Sequence, residues 1–111
     1  MATIISQSRE LSKIERYKLV EDDTSISVTK AVDQLLSPVV WVEYSDTNAE
    51  GKIVDVLAFM TDDGIVYSTI SDTFKRHFRK IAEIMDGEPF VIRVISGTSR
   101  NDRTFASCAL V

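Results

Sequence analysis

The sequence holds one cysteine and one histidine in 111 residues. One cysteine closes no internal disulfide, and one Cys with one His cannot supply a Cys/His zinc cluster. Four glycines and two prolines exclude low-complexity and collagen-like chains. No apolar run approaches the roughly eighteen residues of a membrane span. The N-terminal stretch MATIISQSRELSKIERYK lacks a long apolar segment with a small-residue cleavage site, so no secretory signal is expected. A cytoplasmic chain with reduced Cys108 follows as the expectation. Catalytic signatures are missing as well: there is no G-x-G-x-x-G, no P-loop, no H-E-x-x-H and no Gly-x-Ser-x-Gly. The carboxylate pair Asp62-Asp63 sits in a turn signal, which accounts for it without a metal. No enzyme activity and no cofactor are therefore expected. An excess of positive charge is also missing, since 13 Lys+Arg against 17 Asp+Glu leave a net charge of −4. Taken in bulk, that opposes a strongly basic nucleic-acid binder.

What is present suits one globular domain over residues 1–111, with 44% hydrophobic and 27% charged residues. Residues 1–24 read as a loosely ordered arm ending in acidic Glu21-Asp22-Asp23, with Ile14, Tyr17 and Leu19 able to form a strand or a helical turn. Residues 27–36 read as a short helix: Ser27 suits an N-cap, and Val28, Val32, Leu35 and Leu36 form an apolar stripe. Ser37-Pro38 ends it. Beyond lies a core over 39–111. Strands are expected at 39–44, 52–60, 65–70, 90–95 and 104–111, from their β-branched and aromatic content. Asp63-Gly64 marks a tight hairpin. The clearest helix is 71–85, capped by Ser71 or Asp72 and stopped by Gly87 and Pro89, with Phe74, Phe78, Ile81 and Met85 on one face. The fold class is thus mainly β, of the α+β kind. Three strands, a helix and two strands is the order of a five-stranded oligonucleotide-binding (OB) barrel. A flat five-stranded layer under one helix has the same order.

Candidate ligand residues follow from that order. The OB ligand face lies on the second and third strands, flanked by the loops here at 45–51 and 96–103. The second loop carries Arg100 and Arg103. Alternation places Asp55, Phe59, Tyr67 and Thr69 on a half-exposed face and the small apolar residues Val54, Val56, Ala58 and Met60 on a core face. Trp41, Phe59 and Tyr67, interleaved with Lys52, Arg93, Arg100 and Arg103, make the mixture that single-strand binders use for stacking and phosphate contact. Phe59 also suits a core role. Arg93, isolated among apolar neighbours, should point outward. Lys75, Arg76, Arg79 and Lys80 form a second basic patch on the helix, with His77 as a surface residue. Cys108, in the apolar run 105–111, reads as a core thiol.

Two segments carry a resemblance: Thr61-Asp-Asp-Gly-Ile-Val-Tyr-Ser-Thr-Ile-Ser-Asp-Thr-Phe74, and Gly87-Glu-Pro-Phe-Val-Ile-Arg-Val-Ile-Ser-Gly-Thr-Ser-Arg100 running on to Phe105-Ala-Ser-Cys-Ala-Leu-Val111. Over residues 14–111 the chain resembles small single-stranded-DNA-binding proteins of bacteriophages and related mobile elements. The resemblance implies an OB barrel that coats single-stranded DNA during replication or recombination in a bacterial host. Partners would be single-stranded DNA, further copies of the chain and a replication or recombination protein. Cellular single-strand binders carry an acidic recruiting tail; these residues end on apolar Ala109-Leu110-Val111, so recruitment of that kind is not expected. A small acidic protein-binding module, acting as an inhibitor or adaptor of a host protein, is the alternative that the net charge and Glu21-Asp22-Asp23 favour.

The charge is uneven. Residues 1–50 hold five Lys+Arg against nine Asp+Glu, and residues 51–111 hold eight against eight. The half with the candidate site is neutral, so the acidic total does not exclude nucleic acid.

Overall fold

The structure, a computed structural model, describes residues 2–22, 24–98 and 104–111. In chain order come β1 (Thr3–Gln7), the helical turn α1 (Lys13–Arg16), a π-helical turn Tyr17–Glu21, β2 (Ile26–Ser27), a 3-10 turn Val28–Ala31 and β3 (Leu35–Leu36). Then follow β4 (Pro38–Thr47), β5 (Ile53–Thr61), β6 (Val66–Thr69), α2 (Asp72–Met85), β7 (Ile92–Thr98) and β8 (Thr104–Leu110). The fold is mainly β, of the α+β kind. Hydrogen bonding sorts the strands into a sheet of order β1-β4-β5-β6-β2 and a smaller sheet of order β3-β7-β8. Side chains of a common core, rather than a continuous ladder, join the two sheets among the described residues.

The β5–β6 hairpin forms where Asp63-Gly64 predicts it. Thr61 N–H donates to the Ile65 carbonyl (2.9 Å), and Gly64 N–H donates to the Thr61 carbonyl (2.9 Å). Gly64 has φ +83°, the left-handed conformation that closes a three-residue loop. The Asp63 carboxylate accepts from the Thr61 hydroxyl and the Ile65 N–H, and these bonds hold its carboxyl below the usual range.

The helix α2 also forms as its sequence signals predict. The Ser71 hydroxyl oxygen accepts from Phe74 N–H (3.3 Å), and Asp86 and Gly87 turn the chain left-handed at its end. The same Ser71 hydroxyl donates to the Ala106 carbonyl (3.2 Å), so α2 runs along the free edge of β8 and covers it.

Two stretches depart from expectation. The helix predicted over 27–36 is one 3-10 turn between two short strands. Ser27 still caps it through Thr29 N–H, but Asp33 adopts φ +69° and ends it. Asp33 N–H donates to the Val94 carbonyl (2.7 Å) and Val94 N–H to the Gln34 carbonyl (3.1 Å). Pairing with β7 outweighs the weak helix propensity of Val28, Thr29 and Val32. The arm, in turn, is built into the fold. β1 pairs antiparallel with β4, and Leu19 and Val20 are buried. Ser12 and Glu15 form a reciprocal capping box at the start of α1.

These two segments change the layer order. One face of the large sheet, with Leu57, Phe59 and Tyr67, packs against α2 and the small sheet. The opposite face, with Val40, Val42 and Ala58, packs against Leu19 and Val20. The centre of the large sheet is therefore covered on both sides. The half-exposed face read from alternation is the main core, with Phe59, Tyr67 and Thr69 buried, while Asp55, near the start of β5, lies open.

Candidate nucleic-acid interface

The predicted aromatic set lies together. Trp41 pairs with Phe59 across β4–β5, and Phe59 pairs with Tyr67 across β5–β6, so the three form one rung on one face. That rung meets the apolar stripe of α2. Phe59 stacks 5.6 Å from Tyr67 and 5.4 Å from Phe78, while Trp41 meets Phe78 edge-on at 5.4 Å and Phe90 edge-on at 5.6 Å. Phe59 is 0% and Tyr67 6% exposed. Neither can offer a ring face to a base in this conformation; both serve packing. Trp41 is only partly buried and lines a cleft with Phe90.

The basic patch on α2 is divided by helical geometry. At about 100° per residue, Lys75 and Arg79 fall on one flank of the Phe74–Phe78 stripe and His77 on the other. Arg76 and Lys80 fall opposite the stripe and are exposed. The first flank meets the large sheet. Lys75, read as a surface residue, is 4% exposed, and its Nζ donates to the Asp55 carbonyl (3.0 Å) beside the Asp72 carboxylate (3.2 Å). A buried ammonium needs such partners, and the long stem supplies packing. The Arg79 guanidinium donates Nε–H to both Glu43 oxygens (3.0 and 2.9 Å). Those bonds push Arg79 further above its ordinary value, and the pair leaves little net charge for a phosphate. On the other flank, His77 Nδ1 shares a hydrogen bond with the buried Ser107 hydroxyl inside the α2–β8 contact. The pair ties α2 to β8.

Lys52 is exposed just after the Asn48–Gly51 turn, which Asn48 closes by accepting from Glu50 and Lys52 N–H. Arg93 is exposed, on the opposite face of β7 from buried Ile92 and Val94. Arg100 and Arg103 lie outside the described residues. Burial pushes the Cys108 thiol up to about 12, as suits a core thiol. Among the described residues no group of His, Cys, Asp or Glu could hold a metal, and no helix is long and apolar enough to cross a membrane.

One residue was missed. Phe105 pairs across β7–β8 with Gly97, on the same face as Arg93. A Cβ on Gly97 would stand 2.5 Å from Phe105 Cζ, so the ring lies over the bare glycine. Phe105 is partly exposed. Arg93 lies four residues along β7 from Gly97, roughly 13 Å at strand rise. A glycine and an aromatic equally spaced about a loop were the available sequence signal. Comparison with family models, with curated proteins and with solved structures finds no match.

Proposed function

We propose that this protein binds single-stranded DNA without strong sequence preference and without catalysis, in phage or mobile-element replication or recombination. The observation that carries the reading is the outer face of the β7–β8 hairpin. Arg93 stands exposed on it, and the Phe105 ring, partly exposed, lies over Gly97; on this reading that ring stacks on a base. Stacking on one ring tolerates any base, and arginine adds backbone contact. Arg100 and Arg103, in the residues that connect the two strands, extend the same basic stretch in sequence. On this reading β4 to β8 with α2 form an OB-like core, in keeping with their order. Lys52, Arg76 and Lys80 serve as outlying phosphate contacts, and Trp41 contributes through its cleft.

Fluorescent oligo-dT and a matched duplex, titrated at two salt concentrations, test the reading. Tighter binding of the single strand, weakening with salt, is expected. Phe105→Ala should weaken it through lost stacking, and Arg93→Ala should flatten the salt slope. No binding of oligo-dT at low salt overturns the proposal.

A further inference from the structure

Among the described residues the most exposed aromatic ring is that of Tyr17, at 59%. It stands where α1 passes into the π-helical turn, and its side chain makes no ring contact and no hydrogen bond there. The cause is local. Asp22 N–H donates to the Tyr17 carbonyl five residues back (2.7 Å), and the wide turn so closed buries Leu19 and Val20 against Val40, Val42 and Ala58. The other side of the turn is left to solvent. Lys13 and Tyr17 are four residues apart, as are Ile14 and Lys18, so the four share that side, and all are exposed. We propose that this side of α1 and its turn is a second contact for single-stranded DNA, with a base on the Tyr17 ring and phosphates at Lys13 and Lys18. The proposal rests on the single-strand reading but adds a place away from the β7–β8 face, with the large sheet between the two.

The charge around the ring suits a polyanion. Residues 1–50 are acidic overall, yet four of their five Lys+Arg fall within residues 9–18, beside two acids. Glu15 is taken up by Arg9 through two hydrogen bonds (2.8 and 2.5 Å), so it does not neutralise the lysines. Lys13, Arg16 and Lys18 are exposed and form no ion pair among the described residues. On α2, by contrast, Lys75 and Arg79 are held by Asp55, Asp72 and Glu43. Glu21 and Asp22 follow the ring at the far end of the turn and confine the contact to the α1 end. An open ring with an unpaired cation on either side holds a base by stacking and the backbone by charge, whatever the sequence. A lipid surface needs an apolar face over several turns, and Ile14 and Tyr17 are the large apolar residues of this one.

The full-length protein is irradiated with long oligo-dT that carries iodouracil at scattered positions, and mass spectrometry of the digest locates the joined residues. An adduct on Tyr17 is expected. Anisotropy of a labelled oligo-dT then compares variants. Tyr17→Ala should weaken binding roughly fivefold to a hundredfold, the range of one stacked base. Tyr17→Phe keeps the ring and should bind within about twofold of the unaltered protein. Lys13→Ala combined with Lys18→Ala should reduce the slope of log K against log salt by about 1.4. Thermal midpoints check that these exposed substitutions leave the fold in place; if that of Tyr17→Ala falls, the adduct on the unaltered protein decides. Adducts elsewhere but none on Tyr17, or unweakened binding by a folded Tyr17→Ala, overturns the second contact and leaves the single-strand reading standing. An unchanged salt slope in the double variant overturns the phosphates at Lys13 and Lys18. Sedimentation with phosphatidylserine vesicles that Tyr17→Ala abolishes, without a Tyr17 adduct, gives the patch to lipid instead. No binding of oligo-dT at low salt ends both readings.

Discussion

The Phe105 ring fills the place where a Cβ on Gly97 would stand, with Cζ 2.5 Å from that position. Gly97→Ala should therefore force the ring away and cost about 1–3 kcal/mol, the usual range for overpacking. In a Phe105→Ala background the same change should cost much less. Chemical denaturation of the two single variants and the double variant measures the coupling.

Lys75 ties α2 to β5 by one charged hydrogen bond to the Asp55 carbonyl. Lys75→Ala should cost about 1.5–3 kcal/mol, since both the charged bond and the stem packing are lost. Lys75→Met keeps most of the stem and should cost less. Urea midpoints at constant slope give the comparison.

Burial holds the Cys108 thiol neutral far above its ordinary range, at about 12. A thiol reagent at pH 8 should leave the folded protein unmodified and react once denaturant unfolds it. The sign for stability follows from the raised value. The contribution is complete below the unfolded value near 9 and is lost as pH rises toward 12. Labelling rate against denaturant concentration measures the protection.

Glu15 is held down to about 2, first by hydrogen bonds from Arg9 and then by Ser12 N–H. A lowered carboxylate stabilises the fold above its unfolded value near 4.5, and that contribution disappears as pH falls toward 2. Glu15→Gln should flatten the loss of stability in that window and loosen the start of α1. A pH series of denaturation midpoints for both proteins is the measurement. The pair is solvent-exposed, so high salt should shrink the difference.

How far residues alone disclose this molecule differs by element. α2 was legible because Ser71, the Phe74–Met85 stripe and Gly87 agree with one another. The β5–β6 hairpin was legible because Asp63-Gly64 has one good conformation. The rung of Trp41, Phe59 and Tyr67 was legible as a shared face, but not its burial: both faces of β5 are largely apolar, and alternation does not say which one a helix will cover. Lys75 misled for a related reason. A helical wheel places it on a flank but does not show that β5 runs beneath that flank. The 27–36 stretch depends on a hydrogen bond from Asp33 N–H to the Val94 carbonyl and one from Val94 N–H to the Gln34 carbonyl, far along the chain, which no local pattern contains.

The N-terminal cover has a consequence for the order of events in folding. β5 and β6 meet across Asp62–Gly64, while β1 must bring Gln7 to Val42 before its ladder forms. Closing a long loop costs more chain entropy than closing a short one. The local hairpin should assemble early and the arm should arrive after β4 is in place. Amides of β1 should then exchange with solvent sooner than those of β5, exposing Val40 and Val42 before the aromatic core opens.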